Sequence, residues 1–451
     1  MNVVNQNLES IVDFLWGMPL LIFLLVANFI LIYYSRFAPL KGFFHAFKVL
    51  VKKAEDDEVG QITHMQALSN AMAATIGLGN ISGVAVAITQ GGAGAIFWMW
   101  VAALFGMNTK FFECSLALIY RGKDYKGDVQ GGPMYVIEKV WGQKGKWLSV
   151  FFAICALVGT LSLFQINQLT DYLNHYYELP RYYVGILFSL IVYFILKGGV
   201  VRIGKITSRL VPIMTAFYFL SCFGIILMNF EAVPMLFAKI FTNAFHLESV
   251  LGGVLGYSFK EVVIAGVKRA TFSNEAGIGT APMAHANAKT NEPIREGYVA
   301  MLGPFFDTII ICSLTAISLL LVNPQIGETT TSGIIITNKA FEVVYGGFGV
   351  HLLGVSILLF SFSTMIGMAN YNEKCWNYLF KGKKYFSQKS FLIYYCTTII
   401  MGALVKMSIV INIMDICFAL MAIPNILITV YKAKEVQSAM VIYNKKYGIT
   451  K

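Results

Sequence analysis

The segment Gly77-Leu78-Gly79-Asn80-Ile81-Ser82-Gly83 interrupts an apolar stretch, 65–88, that is otherwise long enough to cross a bilayer as one helix. Glycine destabilises a helix, and asparagine and serine side chains compete for its backbone hydrogen bonds. Unpaired backbone groups are too costly in hydrocarbon, so irregular backbone at mid-membrane depth lies inside protein or beside a polar cavity. The segment therefore predicts a broken transmembrane helix with a binding site for a polar ligand at the break.

The rest of the chain is also strongly apolar. Of its 451 residues, 57% are hydrophobic and 13% are charged, and the mean hydropathy is +0.65. Its apolar runs reach the roughly 20 residues that a helical span needs. We therefore predict an all-α membrane protein with eleven transmembrane helices, at 12–34, 65–88, 95–120, 148–170, 182–198, 210–229, 250–285, 297–323, 347–371, 390–407 and 410–431.

The placement of basic residues supports this topology. Most of the 35 Lys and Arg residues fall near alternate ends of the predicted spans, whereas the opposite ends carry Arg181, Lys239, Lys339 and Lys406. The positive-inside rule then predicts a multi-pass protein of the cell membrane, embedded in the lipid bilayer, with its N-terminus outside and its C-terminus in the cytoplasm. Because topology explains the net charge of +11, that charge does not imply nucleic-acid binding, and we expect none.

A second interruption, Phe272-Ser273-Asn274-Glu275-Ala276-Gly277-Ile278-Gly279, lies in the seventh predicted span. It follows the first interruption by five spans, an odd number, so the second unit enters the membrane from the opposite side. The pattern predicts a five-plus-five inverted repeat, with units 65–229 and 250–431, which is typical of a secondary transporter with a midplane site. The segment 1–34 adds an extra N-terminal helix, and 432–451 is a cytoplasmic tail.

A broken helix can hold two kinds of charge. Its first half ends in free carbonyl groups that suit a cation, and its second half begins with free N–H groups that suit a carboxylate. In the ninth span, Ser361-Phe362-Ser363-Thr364 offers hydroxyl groups for a hard cation. In the fourth span, Gln165 and Gln168 are three residues apart and share a face, so both can point into one pocket.

Each of these polar groups also has a purely structural interpretation. The small residues around the first break would let helices pack closely, the hydroxyls could bond back to the preceding turn, and the glutamines could join neighbouring helices. Glu275 is an expensive intramembrane carboxylate that could bind substrate or ion, pair with Lys260 or Lys268, or cap freed amides. Asp307 could carry a proton or have a structural partner.

Other functional classes lack their sequence signatures. The chain has no GxxxxGK[ST] phosphate loop, no HExxH helix and no GxSxG turn, and its six histidines do not have metal-ligand spacing. We therefore expect no enzyme activity and no cofactor. A channel would need a continuous polar path, commonly ringed by identical subunits, and the predicted inverted repeat argues against it.

Three blocks in order, Thr75–Gly83, Gly91–Trp100 and Phe272–Pro282, closely resemble the alanine-or-glycine:cation symporter family. The resemblance covers nearly the whole chain. It implies the leucine-transporter-like fold of the amino acid–polyamine–organocation superfamily, with sodium as the coupling ion and alanine or glycine as substrate. A proton-coupled amino-acid carrier that uses Glu275 or Asp307 is the alternative, and the sequence leaves oligomeric state, stereoselectivity and ion stoichiometry open.

The resemblance also implies a set of site residues. Sodium would be held by the backbone carbonyls of Ala73, Ile76 and Phe360 and by the hydroxyls of Ser363 and Thr364. The substrate would be surrounded by Thr75, Gly77, Gly79, Phe272, Ser273 and Asn274. Beside these, the residue pattern itself adds three polar candidates, Asn80, Gln165 and Gln168. Phe164 and Met365, together with Phe272, would close the pocket around a small side chain.

Overall fold

Almost all the regular structure of this chain is helical. The computed structural model describes residues 2–51, 58–124, 127–245, 259–322, 333–380, 383 and 385–449. The α-helices, in chain order, are α1 (Asn2–Leu15), α2 (Met18–Ser35), α3 (Ala38–Lys41), α4 (Phe43–Val51), α5 (His64–Thr75), α6 (Val84–Gly91), α7 (Gly94–Ile119), α8 (Pro133–Gly159), α9 (Leu163–Tyr177), α10 (Arg181–Leu196), α11 (Gly199–Met228), α12 (Val233–Phe245), α13 (Phe259–Asn274), α14 (Ala281–His285), α15 (Pro293–Ala300), α16 (Leu302–Pro304), α17 (Ser313–Val322), α18 (Gly333–Tyr345), α19 (Gly347–Phe380), α20 (Gln388–Leu404), α21 (Met407–Tyr431) and α22 (Ala433–Tyr447). The other described elements are two π-helical segments, π1 (Gly79–Gly83) and π2 (Phe305–Cys312), a 3-10 turn (Phe230–Ala232) and the antiparallel strands β1 (Gly122–Lys123) and β2 (Val129–Gln130).

Seven helical stretches of the described residues are long and apolar enough to cross a membrane. They are Asn5–Ser35, Gly94–Ile119, Pro133–Tyr177, Gly199–Met228, Pro293–Val322, Gly347–Phe380 and Met407–Tyr431. Helix α5 and the segment π1–α6 are bent at the break between them, and if together they form one span, the number of candidate spans among the described residues is eight. The all-helical class is confirmed, whereas the described residues show fewer candidate spans than the eleven predicted.

The predicted spans that fail this test are the short ones. Helices α10, α13 and α20 have 16, 16 and 17 residues. At a rise of 1.5 Å per residue, each reaches about 25 Å, which is less than the ~30 Å of a bilayer core. Part of the predicted span 250–285, residues 250–258, lies outside the described residues.

Two predicted spans contain breaks that the sequence-based prediction missed. The span 12–34 is interrupted at Trp16 and Gly17, and α2 restarts with Pro19, which is tolerated in the first turn because its missing N–H has no helical partner there. The span 148–170 is interrupted at 160–162, between α8 and α9. There Asn372 Nδ2 donates to the freed carbonyl of Leu157 at 2.7 Å and also to the hydroxyl oxygen of Thr160 at 3.0 Å.

The eighth predicted span, 297–323, also departs from a plain α-helix. It consists of α15, α16, π2 and α17, and the eight residues of π2 lie in its middle. π-helical turns are rare and commonly mark functional sites, since the wider turn redirects side chains. Here the turn carries Asp307, which is fully buried.

The two broken helices lie side by side and run in opposite directions. Helix α5, before the first break, packs against α14, after the second break, and π1 and α6 pack against α13. An antiparallel arrangement of this kind brings both breaks to the same depth. Helix α19 packs along α5, and its Gly367 allows close approach, because a Cβ there would lie 2.5 Å from the backbone N of Ala74.

Candidate functional site

The first predicted break is present, and Asn80 organises it. The last helical bond of this turn joins Ile76 N to Met72 O at 2.7 Å. The next amide, Gly77 N, donates to Asn80 Oδ1 at 2.8 Å rather than continuing the ladder to the carbonyl of Ala73. The break therefore leaves the carbonyl end of α5 with unsatisfied acceptor capacity.

The second predicted break is also present, over residues 275–280. Glu275, Gly277 and Gly279 all have positive φ, at 55°, 82° and 91°. Such a φ is easy for glycine and costly for glutamate, so Glu275 is held there by its surroundings. The side chain of Asn274 caps the break, since its Oδ1 accepts a bond from Ala276 N at 2.9 Å.

Asp307 in π2 joins the two breaks. Its Oδ1 accepts a hydrogen bond from Asn80 Nδ2 (2.7 Å), and its Oδ2 accepts one from Ser273 Oγ (2.9 Å). Thr308 Oγ1 donates to the same Oδ2 at 2.7 Å and accepts from Asn274 Nδ2 at 3.0 Å. Because an ionised carboxylate is an acceptor only, this set of donors suits the charged form.

A narrow cavity lies between the two breaks. Its wall consists of Ala74, Thr75, Gly77, Gly79, Gln165, Phe272, Glu275, Met368, Met414 and Phe418. The volume in which the centre of a water molecule fits is about 10 Å³. This is roughly the volume that one ordered water needs. The conformation is therefore nearly closed, and a larger occupant requires movement of the wall.

Five predicted substrate residues line this cavity, namely Thr75, Gly77, Gly79, Gln165 and Phe272. Gln165 Oε1 is buried and has no hydrogen-bond partner among the described residues, so it can bind an occupant. Gln165 stands just after the unpredicted break at 160–162, which places it at the start of α9.

The other predicted substrate residues do not line the cavity. Gln168 accepts a bond from Ser82 Oγ at 2.9 Å, so the two glutamines do not share one pocket as expected. The side chains of Asn80, Ser273 and Asn274 are used in the bonds around Asp307 and the breaks. Phe164 packs behind Phe272, and Met368 takes the wall position expected for Met365.

The predicted ion-binding groups are brought together where α19 crosses the end of α5. A Cβ on Gly77 would lie 2.4 Å from Thr364 Oγ1, so this hydroxyl faces the first break. It is buried and has no hydrogen-bond partner among the described residues. Ser363 Oγ instead donates to Phe360 O at 3.1 Å, which is the back-bonding alternative. The free hydroxyl of Thr364 and the carbonyls of Ala73 and Ile76 are the oxygens a hard cation prefers.

Glu275 lines the cavity but has a different partner from those expected. Thr280 Oγ1 donates to its Oε2. Lys268, one of the two lysines considered as its partner, instead pairs with Asp415 on α21, with Nζ 2.7 Å from Oδ2. Glu275 is therefore the acidic side chain that an occupant of this cavity would meet.

One end of the molecule, which we call the Asp415 end, closes the cavity with aromatic rings and an ion pair. Phe272 contacts Phe164 and Phe418, with ring centroids 5.4 and 5.6 Å apart. One turn away, Lys268 reaches Asp415. Arg269 Nη2 lies 3.9 Å from the same carboxylate, and its guanidinium lies 5.8 Å from the Phe272 ring centroid.

The opposite end, which we call the Glu296 end, is closed by a different device. Glu296 of α15 is fully buried, and its carboxylate bridges His64 Nδ1 of α5 and His285 Nδ1 of α14. Next to it the backbones before α5 and after α14 pair, with bonds from Gln61 N to Asn287 O (2.8 Å) and from Lys289 N to Ile62 O (2.8 Å). The halves α5 and α14 therefore form one unit.

Lys374 of α19 attaches this unit to its neighbours. Its Nζ donates to Asn287 Oδ1 at 2.9 Å and to Val129 O of β2 at 3.0 Å. Arg121, just past α7, donates to the carbonyls of Ala288 and Thr290. Burial lowers the pKa of Arg121, and nearby acidic groups oppose that shift.

Some of these features could not have been selected from the sequence. The acid Asp307 was recognised, but its contact with both breaks depends on π2. Asp415 is far from Lys268 and Arg269 in the chain. The wall residues Met368, Met414 and Phe418 are apolar residues on apolar helices and carry no signal of their own.

This arrangement, an all-helical membrane bundle with a small buried cavity at two antiparallel helix breaks, defines a transporter. The chain belongs to the Sodium:alanine symporter family, whose profile matches residues 1–450. This assignment makes the protein a multi-pass membrane transporter and not an enzyme.

Individual relatives agree with the family. The chain is 36% identical over 427 residues to the Sodium/alanine symporter AgcS of Methanococcus maripaludis, covering 93% of this chain and 92% of that protein. It is 38% identical over 433 residues to an uncharacterized transporter of Haemophilus influenzae, covering 94% and 92%. A probable sodium/glutamine symporter, GlnT of Bacillus subtilis, is 32% identical over 450 residues, covering 98% and 92%.

Two solved structures share the fold at low sequence identity. A Na+-coupled sialic acid symporter, solved in a substrate-bound outward-open state, matches with a TM-score of 0.50 and 14% identity over 92% of this chain and 86% of that chain. The manganese transporter of Eremococcus coleocola matches with a TM-score of 0.54 and 9% identity over 84% and 81%. Both likenesses concern the fold.

Proposed function

We propose that this chain is a sodium-coupled symporter that imports alanine or glycine by alternating access. The observation that carries the proposal is the cavity between two helix breaks, which the unpartnered amide oxygen of Gln165 lines. The unpartnered hydroxyl of Thr364 faces Gly77 at the first break. Membership of the Sodium:alanine symporter family gives it further support. Ion and substrate would bind together, and each would stabilise the conformation that the other needs.

The sodium site of the proposal is at the first break. The backbone carbonyls of Ala73, Ile76 and Phe360 and the hydroxyls of Ser363 and Thr364 would coordinate the ion. Thr364 supports this choice most directly, because its unpartnered hydroxyl already faces Gly77. Ser363 would have to release its bond to Phe360 O, which frees two oxygens at once.

The substrate site of the proposal is the cavity itself. The amino and carboxyl groups of the amino acid would bind the broken backbone around Thr75, Gly77 and Gly79, with Gln165 as a further polar contact. Phe272, with Phe164 behind it, and the methionine and phenylalanine side chains of the wall leave little room for a substrate side chain. One methylene changes specificity about 10–200-fold in such a pocket, so larger amino acids would compete weakly.

The proposed topology has eleven spans in the cell membrane. The units 65–229 and 250–431 would form the inverted repeat, 1–34 the extra helix, and 432–451 the cytoplasmic tail. The antiparallel packing of the two broken helices supports the inversion. Basic residues of the Glu296 end, including Arg121, Lys289 and Lys446, support a cytoplasmic position for that end under the positive-inside rule.

The direct test is uptake of labelled alanine into proteoliposomes with and without an inward sodium gradient. We expect saturable uptake that falls to the background level when potassium or choline replaces sodium. Unlabelled glycine should compete with alanine, and glutamine should compete far less. Equal uptake with and without the gradient would reject sodium coupling, and strong competition by glutamine would reject the proposed size limit.

A variant pair tests the ion site. Thr364→Ala removes the unpartnered hydroxyl, and we expect the sodium concentration for half-maximal uptake to rise about tenfold, as for the loss of one charge-assisted contact. Thr397→Ala is the matched control, because Thr397 is exposed on α20 and only bonds back to Ile393 O. Equal sodium dependence in Thr364→Ala and the control would contradict the assignment.

A second candidate function is proton-coupled transport through Glu275 or Asp307. The specific observation in favour is that Glu275 lines the cavity. Asp307 suits this role less, because its carboxylate accepts several hydrogen bonds. Uptake driven by a pH gradient in the absence of sodium, and abolished by Glu275→Gln, would favour this candidate. Sodium-driven uptake that survives Glu275→Gln would exclude Glu275 as the proton carrier.

A further inference from the structure

The N-terminal helix pair makes a specific contact with the Asp415 end. Trp16 lies at the break between α1 and α2, and its side chain is 2% exposed. Its Nε1 donates to the backbone carbonyl of Asp415 at 2.9 Å. This bond joins a segment outside the two predicted repeat units to the residue whose carboxylate pairs with Lys268.

A second contact keeps the N-terminal helix along α21. Helix α1 packs against α21, and Asn412 Nδ2 donates to Asn5 Oδ1 at 3.2 Å. Asn412 lies one turn before Asp415, so both bonds act on the same stretch of α21. The next turn of α21 carries Phe418, which lines the cavity with Met414.

A wide cavity with several charged side chains in its wall lies on the far side of the ion pair. It has a volume of about 440 Å³, and its wall includes Trp16 and Lys268 together with Asp13, Gly17, Gln90, Lys260, Glu261, Ile264 and Ala265. The indole of Trp16 thus forms part of the boundary between this cavity and the helical turn that bears Asp415. Loss of that boundary would let the turn shift toward open space.

We infer that Trp16 is a positioning residue for closure of the Asp415 end. It fixes the turn of α21 that presents Asp415 to Lys268, and through that pair it keeps Phe272 and Phe418 closed over the narrow cavity. The inference rests on the proposed function in one respect, because it treats this closure as a step of a transport cycle.

The test measures access to the narrow cavity, not transport. A cysteine is introduced at Thr75, which lines the cavity, and its reaction with a membrane-impermeant methanethiosulfonate is followed on the purified protein. All seven native cysteines are buried, so the parent protein gives the background. We expect Trp16→Phe, which keeps the ring and loses the N–H, to speed the reaction about fivefold, as for the loss of one hydrogen bond.

The matched control is Trp98→Phe. Trp98 Nε1 also donates to a backbone carbonyl, that of Ala244 at 3.1 Å, so its bond joins α7 to α12 and not to the turn of Asp415. Its reaction rate should equal that of the Thr75→Cys protein alone. An unchanged rate in a folded Trp16→Phe protein would overturn the inference, and because sodium and alanine are not used, that failure is separate from failure of the proposed function.

A double substitution tests the route through Asp415. Asp415→Asn alone should speed the reaction, and adding Trp16→Phe should then have no further effect, because the two residues act in series. A further fivefold increase would show that Trp16 acts elsewhere and would overturn the inference. If Trp16→Phe does not fold, Asn412→Ala replaces it, with an expected increase of about twofold, and no increase there counts against the inference.

Discussion

The Glu296 end and the Asp415 end close the same cavity by different means. At the Glu296 end, backbone pairing and the carboxylate bridge between His64 and His285 join the two broken helices to each other. At the Asp415 end, the contacts are side-chain contacts, from Lys268 and Arg269 to Asp415 and between phenylalanine rings. A cavity of about 440 Å³ adjoins the second set.

The difference concerns what each end can release. Separating α5 from α14 would break backbone hydrogen bonds and the bridge of the fully buried Glu296. This separation is costly because the freed polar groups would remain buried and unpaired. Lys268, with 13% of its side chain accessible, can exchange the carboxylate of Asp415 for water on its open side, so this pair should part at a lower cost than the fully buried bridge of Glu296. We expect the Asp415 end to open while α5 and α14 stay together.

The largest effect is expected at Glu296. Glu296→Ala removes the acceptor for two buried imidazoles and should lower the free energy of unfolding by about 2–5 kcal/mol. A thermal melt of the purified protein measures this as a lower midpoint. Glu296→Gln, which keeps one acceptor oxygen, should fall between alanine and wild type; a melt of the alanine variant that matches wild type would show that the bridge does not hold the two halves.

Asp307, between the two ends, comes next. Asp307→Asn places an amide where three donors point, so one of them loses its acceptor, at a cost of about 1–3 kcal/mol. Uptake of alanine should fall at least tenfold, because both breaks lose their common partner. The control is Asp171→Asn, since Asp171 forms a surface pair with Arg181 and should have near-normal uptake. Equal losses of alanine uptake in Asp307→Asn and Asp171→Asn would mean that removal of a negative charge, and not the loss of the contacts of Asp307, lowers uptake.

The ion pair at the Asp415 end should give a smaller, measurable coupling. A double-mutant cycle of Lys268→Gln and Asp415→Asn on thermal stability should give about 1 kcal/mol, since the pair is largely buried but keeps an open side. The pair of Lys432 and Glu435, with 25% and 38% of the side chains exposed, serves as comparison and should give about 0.3–0.5 kcal/mol. If the coupling energy of Lys268 and Asp415 equals the loss of stability in Glu296→Ala, the two ends do not differ in strength as we expect.

The smallest effect concerns the rim of the Glu296 end. Burial favours the neutral form of Glu292, but hydrogen bonds from Lys446 and Tyr447 outweigh it and hold the pKa of Glu292 below its usual value. A lowered pKa gives stability at neutral pH that is lost as the pH falls through the value in the folded protein. Glu292→Gln should therefore lower the melting midpoint by a degree or two at pH 7, an effect of about 0.5 kcal/mol. The difference between the melting midpoints of variant and wild type should shrink as the pH falls below the usual range of a glutamate, and a difference that does not change with pH would exclude this origin.

The main features of the fold were predictable from composition and pattern. The interruption at Gly77–Gly83 follows from glycine, asparagine and serine in an apolar run, and the second, at Phe272–Gly279, follows from the same residue types. Both breaks are present. The same logic failed at Trp16 and at 160–162, because a break that is repaired by distant partners such as Asn372 needs no strong local signal.

The candidate site was predictable in part. Residues that act through the backbone, such as Gly77 and Gly79, were found because their residue type reports on the chain conformation. Asn80 was placed at the break correctly, but its side chain forms hydrogen bonds with Gly77 N and Asp307 Oδ1 and does not line the cavity. Which polar group faces the occupant depends on pairing between distant segments, and a single sequence does not contain that information.

The antiparallel packing of the broken helices has an electrical consequence. Over the full pair the two helix macrodipoles oppose each other, so their sum along the membrane normal is small. At the depth of the breaks, however, partial charges of both signs meet within a few residues. On the proposed sodium coupling, the membrane voltage would act mainly on the ion that enters between the breaks, because the helix pair itself adds little net dipole.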